Sequence, residues 1–318
     1  MTRIAIIGCG NIGFRHLEAA VASSVDEIWV VEPRQDQLQQ CLAHIGDPRV
    51  MGFNSIPTLL QRGQEFTVII SAVTADMQLR VIEQLQGAKT DALVLEKPVA
   101  AGPHALSDLL SLLEDHPERA VYVNCPRAMW SGYQRAKALL DKITSTFHLE
   151  ISGNLWGFAC NAIHFIELFR FLTHANTAQA VSAQLLPSPV AHKRGHQFDE
   201  FIGTAGFSSE NGDILQLTCG YAHEAATPVI VTVRDLQSGE LVALADESKD
   251  RIWLRDRHGF DAYPLGVLFV SQSGRIFLDD LLACRTPALP RLAAERGSHE
   301  ALFKCLTMAT RREDFSIT

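Results

Sequence analysis

Arg3-Ile4-Ala5-Ile6-Ile7-Gly8-Cys9-Gly10-Asn11-Ile12-Gly13 opens the chain and decides its fold. A short apolar run ends in glycines, and helical spacing follows through Ile12, His16, Leu17 and Ala20. Such a run is what a strand buried on both faces looks like. The glycines fit G-x-G-x-x-G, after a strand and at the mouth of a helix, where the mechanism of that motif requires them. Gly8 permits the tight turn, Gly10 lets a pyrophosphate approach the backbone, and Gly13 lets helix and strand pack closely. The free N–H groups of the helix start, at Asn11 and Ile12, and its partial positive charge then suit a phosphate. Against the alternative of a chance glycine-rich turn, the context predicts dinucleotide binding.

An acid closes the next strand, Glu27–Val31, at Glu32. A carboxylate there accepts hydrogen bonds from adenosine ribose hydroxyls and repels a 2′-phosphate, which favours NAD over NADP. Arg34, two residues on, could instead pair with that phosphate, or be a solvated surface charge. The alternation continues with helical spacing over Gln35–Ile45, a buried-type strand at Thr67–Ser71, a helix at Gln78–Leu85, a strand at Ala92–Leu95, a helix at Ala105–Leu113 and a last strand at Val121–Val123. Strands alternating with helices mean crossover units and a parallel sheet. Beyond Asn124 the texture changes. Helices are expected at Trp130–Leu140 and Asn161–Leu172. Strand-like runs follow at Ala180–Leu186, Phe198–Ile202, Ile214–Cys219, Val229–Val233, Leu241–Leu244 and Arg251–Leu254, with a hairpin turn at Asn211-Gly212-Asp213. That series suggests an antiparallel sheet, and a helix after Pro287 and Pro290 ends the chain. The expected division is a doubly wound α/β dinucleotide-binding domain over residues 1–123 and a second domain with that antiparallel sheet over 124–318.

Composition narrows the function classes. The 318 residues are 47% hydrophobic and 20% charged, which excludes a disordered chain, a collagen-like fibre and a coiled-coil rod. Lys and Arg number 28 against 36 Asp and Glu, a net charge of −8, which argues against a dedicated nucleic-acid binder. No stretch is long and apolar enough to span a bilayer, and the opening apolar run is too short for a signal peptide. The seven cysteines are scattered, odd in number and without a C-x-x-C pair, so neither a disulfide framework nor a metal site is expected. That pattern reads as a reduced, cytoplasmic protein.

Glu96-Lys97-Pro98 lies just past the strand Ala92–Leu95, where strand ends of an open parallel sheet face the ligand crevice. With the opening Ile-Ala-Ile-Ile-Gly-Cys-Gly-Asn-Ile-Gly-Phe-Arg-His, it makes the chain resemble the Gfo/Idh/MocA family of nicotinamide-dependent oxidoreductases. The resemblance extends to the helix around His164, to Phe269–Ser273, and to a last helix that begins at Leu289-Pro290 and contains His299. It implies an N-terminal Rossmann domain, a second α/β domain with a large, mostly antiparallel sheet that commonly forms the oligomer interface, and a sugar, inositol or nucleotide-sugar substrate. The expected assembly is a homo-oligomer, a dimer or tetramer. Lys97 takes the position of the family's conserved lysine, with a bond to Pro98 that is typically cis there.

Departures from the family pattern matter as much. After the strand Thr67–Ser71 the family carries a proline and a histidine where this chain has Val73 and Gln78, although Ser71 and Ala72 would still line the cofactor. On the second-domain helix the pattern Asp-x-x-x-His, with an acid three residues on, reads Cys160, His164 and Glu167. These three share a helix face, while Ala162, Ile166, Phe169 and Leu172 form a core stripe. The implied catalytic residues are Lys97 and His164, a histidine being suited to general acid/base work near neutral pH. Lys97 would stabilise charge on the reacting oxygen, with Lys97 as the base itself a second assignment. Gly8, Gly10, Asn11, Ile12, Gly13, Glu32, Ser71, Ala72, Glu96 and Lys97 are the candidate cofactor contacts. Asn124, Arg127, Cys160, Asn161 and Glu167 are the candidate substrate contacts, with Glu167 also the candidate orienter of His164. His192-Lys193-Arg194-Gly195-His196 is either a solvated loop or a site for a substrate anion. The expected function is hydride transfer between NAD and a hydroxyl-bearing carbon of a sugar or nucleotide sugar. The alternatives are a non-catalytic NAD-binding sensor and an enzyme that recycles its NAD within the site.

Overall fold

Ile4, Ala5 and Ile6 of the first strand, β1 (Arg3–Ile7), are fully buried. A strand without a solvent face must be covered on both sides, which calls for a parallel sheet flanked by crossover helices. The computed structural model describes residues 1–114, 116, 119–190, 195–221, 228–313 and 315–318 and contains that sheet. After β1 come α1 (Asn11–Val21), β2 (Glu27–Val31), α2 (Gln35–Ile45), β3 (Val50–Phe53), α3 (Ile56–Arg62), β4 (Glu65–Ser71), α4 (Ala75–Gln84), β5 (Lys89–Leu95), α5 (Pro103–Glu114) and β6 (Ala120–Val123). The strand order is β3-β2-β1-β4-β5-β6, all pairs parallel. The order reverses between β1 and β4, so the ligand crevice lies outside their carboxyl ends.

The chain continues through α6 (Ser131–Leu140), β7 (Phe147–Asn154), α7 (Phe158–Thr173), β8 (Gln179–Pro187), β9 (Phe201–Ser208), β10 (Ile214–Gly220), β11 (Ile230–Asp235), β12 (Leu241–Asp246), β13 (Arg251–Asp256), β14 (Gly259–Pro264), α8 (Val270–Leu282) and α9 (Leu292–Thr310). Strands β7 to β14 form a second sheet in the order β14-β13-β12-β11-β7-β10-β9-β8. Its pairs are antiparallel except β7 with β10. The turn at Asn211-Gly212-Asp213 joins β9 to β10, with Gly212 at φ +92°.

Among the described residues, five elements lie outside the sequence expectation: α8 as well as β3, α3, β7 and β14. β3 has only four residues, and its Gly52 makes room for Leu42, since a Cβ there would stand 2.7 Å from the leucine Cδ1. The seven-residue α3 is set by local chemistry, with the Ser55 hydroxyl accepting from the Thr58 N–H at 3.3 Å and Pro57 in the first turn. β7 is the central strand of the second sheet, with Phe147, Leu149 and Ile151 buried. β14 is an edge strand with mostly exposed residues. The strand expected at Phe198–Ile202 runs instead from Phe201 to Ser208.

The division at residue 123/124 also needs correction. Met1–Asn124 and Leu268–Ala293 form one compact unit, and Cys125–Val267 and Ala294–Thr318 the other. Within the first unit α8 lies along α1 so closely that a Cβ on Gly274 would be 2.8 Å from the Ala19 methyl. The Val123 N–H donates to the Pro290 carbonyl at 3.0 Å. The apolar positions Phe277 and Leu278 of α8 are fully buried, which is why this late segment returns to the first unit. A second correction concerns the cysteines. Cys9 and Cys41 are joined in a disulfide, 32 residues apart in sequence. One sits in the glycine loop and the other on α2, and only the crossover brings them together.

Candidate cofactor and active site

The glycine loop is built by steric exclusion. Gly8 has φ +92°, and a Cβ there would stand 3.0 Å from the Ala72 carbonyl oxygen. At Gly13 a Cβ would be 1.9 Å from the Gly8 carbonyl oxygen, so no other residue lets α1 start this close to β1. Around Gly10 a Cβ would meet no atom within 4 Å, and no side chain caps the start of α1. An open approach beside uncapped N–H groups at Asn11 and Ile12 fits a pyrophosphate.

Glu32 is buried at the end of β2 and ties this loop to the sheet. Its Oε2 accepts from the Cys9 N–H at 3.1 Å, and its Oε1 accepts from the Arg34 N–H at 3.1 Å and from Nε at 3.0 Å. A carboxylate has about four lone-pair sites, so capacity for ribose hydroxyls remains. The Arg34 guanidinium is therefore held on Glu32 as well as mostly exposed to water.

At the ends of β4, β5 and β6 the structure assembles a buried polar frame. Ser71 Oγ donates to Gln78 Oε1 at 2.6 Å, and Gln78 Nε2 donates to the Ser71 and Glu96 carbonyls, each at 3.3 Å. Gln78 thus clamps two adjacent strand ends. Ala72 continues the sheet, its N–H donating to the Ile7 carbonyl at 2.9 Å. Glu96 Oε1 receives His16 Nε2 at 2.7 Å and Asn124 Nδ2 at 2.6 Å. Asn124 is thereby buried and engaged with Glu96. Lys97 follows, half-buried, and its bond to Pro98 is cis.

In the second unit α7 starts at Gly157, whose φ of +79° is left-handed. Glu200 Oε1 caps the start by accepting from the Ala159 N–H at 2.6 Å, and Asn161 Nδ2 donates to the Trp156 carbonyl at 2.6 Å. The Asn161 amide thus serves the loop before the helix. Cys160 is half-buried, and His164 and Glu167 are buried. Burial, with the Glu295 charge, pushes the Glu167 carboxyl well above the usual range, and Arg170 and Arg127 only partly oppose this. Glu295 accepts from Arg170 Nη1 at 2.9 Å and from Ser298 Oγ at 3.3 Å, and burial raises it to about 7.

Arg127 is occupied too. Nε and Nη2 each reach a Glu247 oxygen at 2.8 Å, Tyr133 Oη donates to the same carboxylate at 3.0 Å, and the guanidinium lies 4.5 Å over the Phe165 ring. A substrate contact by Arg127 has to compete with this bidentate pair. Sequence reasoning missed Glu247, Glu295 and the His16 contact with Glu96, because their partners are 120, 125 and 80 residues away. Residues 192–194 of the basic cluster lie outside the described residues. Among the described residues, no three His, Cys, Asp or Glu side chains group as a metal site requires, and no helix is long and apolar enough to cross a membrane.

Residues 2–125 match the model of an oxidoreductase family with an NAD-binding Rossmann fold, GFO_IDH_MocA. Curated protein sequences give no match. Among solved structures, the chain is similar to UDP-N-acetylglucosamine 3-dehydrogenase from Acidithiobacillus ferrooxidans, with TM-score 0.72 and 15% identity over 98% of both chains. It is similar to myo-inositol dehydrogenase from Lactobacillus casei, in complex with NAD(H) and myo-inositol, with TM-score 0.72 and 13% identity over 100% of this chain and 97% of that one. It is also similar to a Synechocystis biliverdin reductase bound to biliverdin and NADP+, with TM-score 0.73 and 15% identity over 96% and 98%. At such identities the likeness shows the fold. The matched model is of an NAD-binding Rossmann fold, and the cofactor is NAD. The open glycine loop and Glu32 are residues of this chain that fit it.

Proposed function

We propose that the chain is a cytoplasmic NAD-dependent oxidoreductase acting on a hydroxyl-bearing carbon of a sugar or nucleotide sugar. The observation that carries this reading is the set of strand ends at one edge of the parallel sheet. The glycine loop after β1, Glu32 after β2 and Glu96-Lys97-Pro98 after β5 share the side where such sheets bind dinucleotides. Two structural neighbours whose names give a UDP-N-acetylglucosamine and a myo-inositol dehydrogenase support the substrate class. NAD, when bound, accepts the hydride. Lys97 holds the reacting oxygen and stabilises charge developing on it, and His164 takes the hydroxyl proton. A panel of nucleotide sugars, inositols and free sugars with NAD, followed by the absorbance of reduced nicotinamide, tests the reading. Retention of NAD without turnover of any member would favour the NAD-binding sensor, which Cys160 in place of the family aspartate also supports.

Cofactor choice follows from Glu32. NAD is expected to bind at least about tenfold more tightly than NADP, because a 2′-phosphate meets the Glu32 carboxylate. Glu32→Ala is expected to narrow the gap by freeing Arg34 for that phosphate. Calorimetric titration of both cofactors against both proteins decides it, and tighter NADP binding by the natural protein would mean that Arg34 dominates.

The assembly proposed is a dimer or tetramer built on the second unit's sheet. Leu244 and Trp253 are paired in register on β12 and β13, and with Leu241 and Phe260 they line an apolar hollow of about 300 Å³. Exposed apolar patches of this kind mark association surfaces. Trp253→Arg is expected to shift the protein to monomers in sedimentation velocity while leaving its circular dichroism unchanged. A natural protein that sediments as a monomer would remove the proposal.

A further inference from the structure

Resting on the reading of Lys97 as an active-site residue, we infer that His16 is a positioning residue. With Asn124 it holds Glu96 as a buried carboxylate at the end of β5, and Glu96 in turn fixes its chain neighbour Lys97.

The geometry is closed and lies wholly within the first unit. His16, on the second turn of α1, is fully buried, and its Nε2 is 2.7 Å from Glu96 Oε1. The carboxylate can only accept, so the contact requires the proton on Nε2. Asn124 Nδ2, from the end of β6, donates to the same oxygen at 2.6 Å. The Glu96 main chain is held as well, its N–H donating to the Ser71 carbonyl at 3.0 Å and its carbonyl accepting from Gln78 Nε2. Both the backbone and the side chain of the residue before Lys97 are thus fixed, from α1, β4, α4 and β6. Gly274 of α8 seals the other side, where a Cβ would stand 3.6 Å from His16 Nδ1.

Stability alone does not call for this cluster. A buried ionised carboxylate carries a desolvation penalty of several kcal/mol, and well-packed apolar replacements of such groups are often neutral or stabilising. The cluster sits at the carboxyl end of β5, and a fixed anion there has a task beside a lysine that acts through its charge. The titratable groups facing Glu96 are His16 from α1 and Lys97 from its own strand end. β6 offers the neutral Asn124 amide, α4 the neutral Gln78 amide, and α8 packs Phe277 near the His16 ring. Burial pushes the Glu96 carboxyl up, but His16, Asn124 and Lys97 outweigh it and hold the group below the usual range. Without His16 the balance turns toward burial, and Glu96 takes up a proton under mildly acidic conditions.

The test uses the full chain and two readouts. Difference infrared spectroscopy on the cofactor-free protein follows, between about pH 5 and pH 8, the protonated-carboxyl band of His16→Ala that adding Glu96→Gln removes. The natural protein is expected to show no such band in this range. His16→Ala should show it growing as pH falls, and His16→Gln, whose amide can donate in place of Nε2, should suppress it. On the substrate found by the panel, kcat of His16→Ala is expected to be at least about tenfold lower at the acid end and to recover toward alkaline pH, with KM little changed. His16→Gln should restore most of the loss. If His16→Ala fails to fold, Asn124→Ala removes the second donor and should raise the same band. A folded His16→Ala with no band and a natural pH profile overturns the inference, as does a His16→Gln as impaired as His16→Ala. The infrared titration needs neither cofactor nor substrate. A chain that turns over no sugar while showing the expected titration defeats the proposed function and leaves the His16–Glu96 link standing.

Discussion

Lys97→Ala is expected to fold, to bind NAD with near-natural affinity, and to lose about 10²–10³ in kcat. Lys97 follows the clamped residue Glu96, whose carbonyl accepts from Gln78 Nε2, so its backbone is held at the end of β5. Removing its side chain is expected to leave the glycine loop and Glu32 intact, since their contacts run among β1, α1, β2, α2 and the loop after β4. A donor whose bond strengthens as the reacting oxygen gains charge lowers turnover more than ground-state binding. Calorimetry for NAD, a thermal melt and steady-state kinetics on one preparation check the three parts. Natural turnover in Lys97→Ala would reduce Lys97 to a surface lysine and remove the centre of the proposed function.

His164→Ala is expected to cost about 10²–10⁴ in kcat, the usual worth of a positioned general acid/base. The neighbours of His164 on α7 then separate by their charge state. Burial and the Glu295 charge raise the Glu167 carboxyl well above the usual range, and glutamine has nearly the shape of a protonated glutamic acid. Glu167→Gln should therefore be mild, within about threefold in kcat, as a near-isosteric exchange that keeps a hydrogen-bonding group in place. Cys160→Asp should be tolerated, and its new carboxylate should favour the protonated imidazole and move that limb of the pH–rate profile to higher pH. Cys160→Ser should change little. A dead Cys160→Ser with an intact fold would mean that the thiol itself touches substrate, and full activity in His164→Ala would take His164 out of the mechanism.

What the sequence determined alone was the first unit's architecture and the identity of its loop. Apolar runs without a polar face require a parallel sheet, and the spacing Gly8, Gly10, Gly13 is a local steric statement about one turn. Period-2 alternation also lies in Phe147-His148-Leu149-Glu150-Ile151, the core strand β7, but a single polar-rich strand between two helices carries too weak a signal beside them. β3 and β14 are short or exposed and carry less still. Tertiary structure decided everything that depends on partners far along the chain. It sent α8 back to α1, placed Cys41 against Cys9, turned Arg127 onto Glu247 and Asn124 onto Glu96, and put Glu295 near enough to Glu167 to raise that acid. The physical reason is one of range. Backbone sterics and side-chain periodicity act over a few residues and are written locally. Burial and charge act through space, so the upward shift of the Glu167 carboxyl and the engagement of Asn124 and Arg127 exist only once distant segments have met.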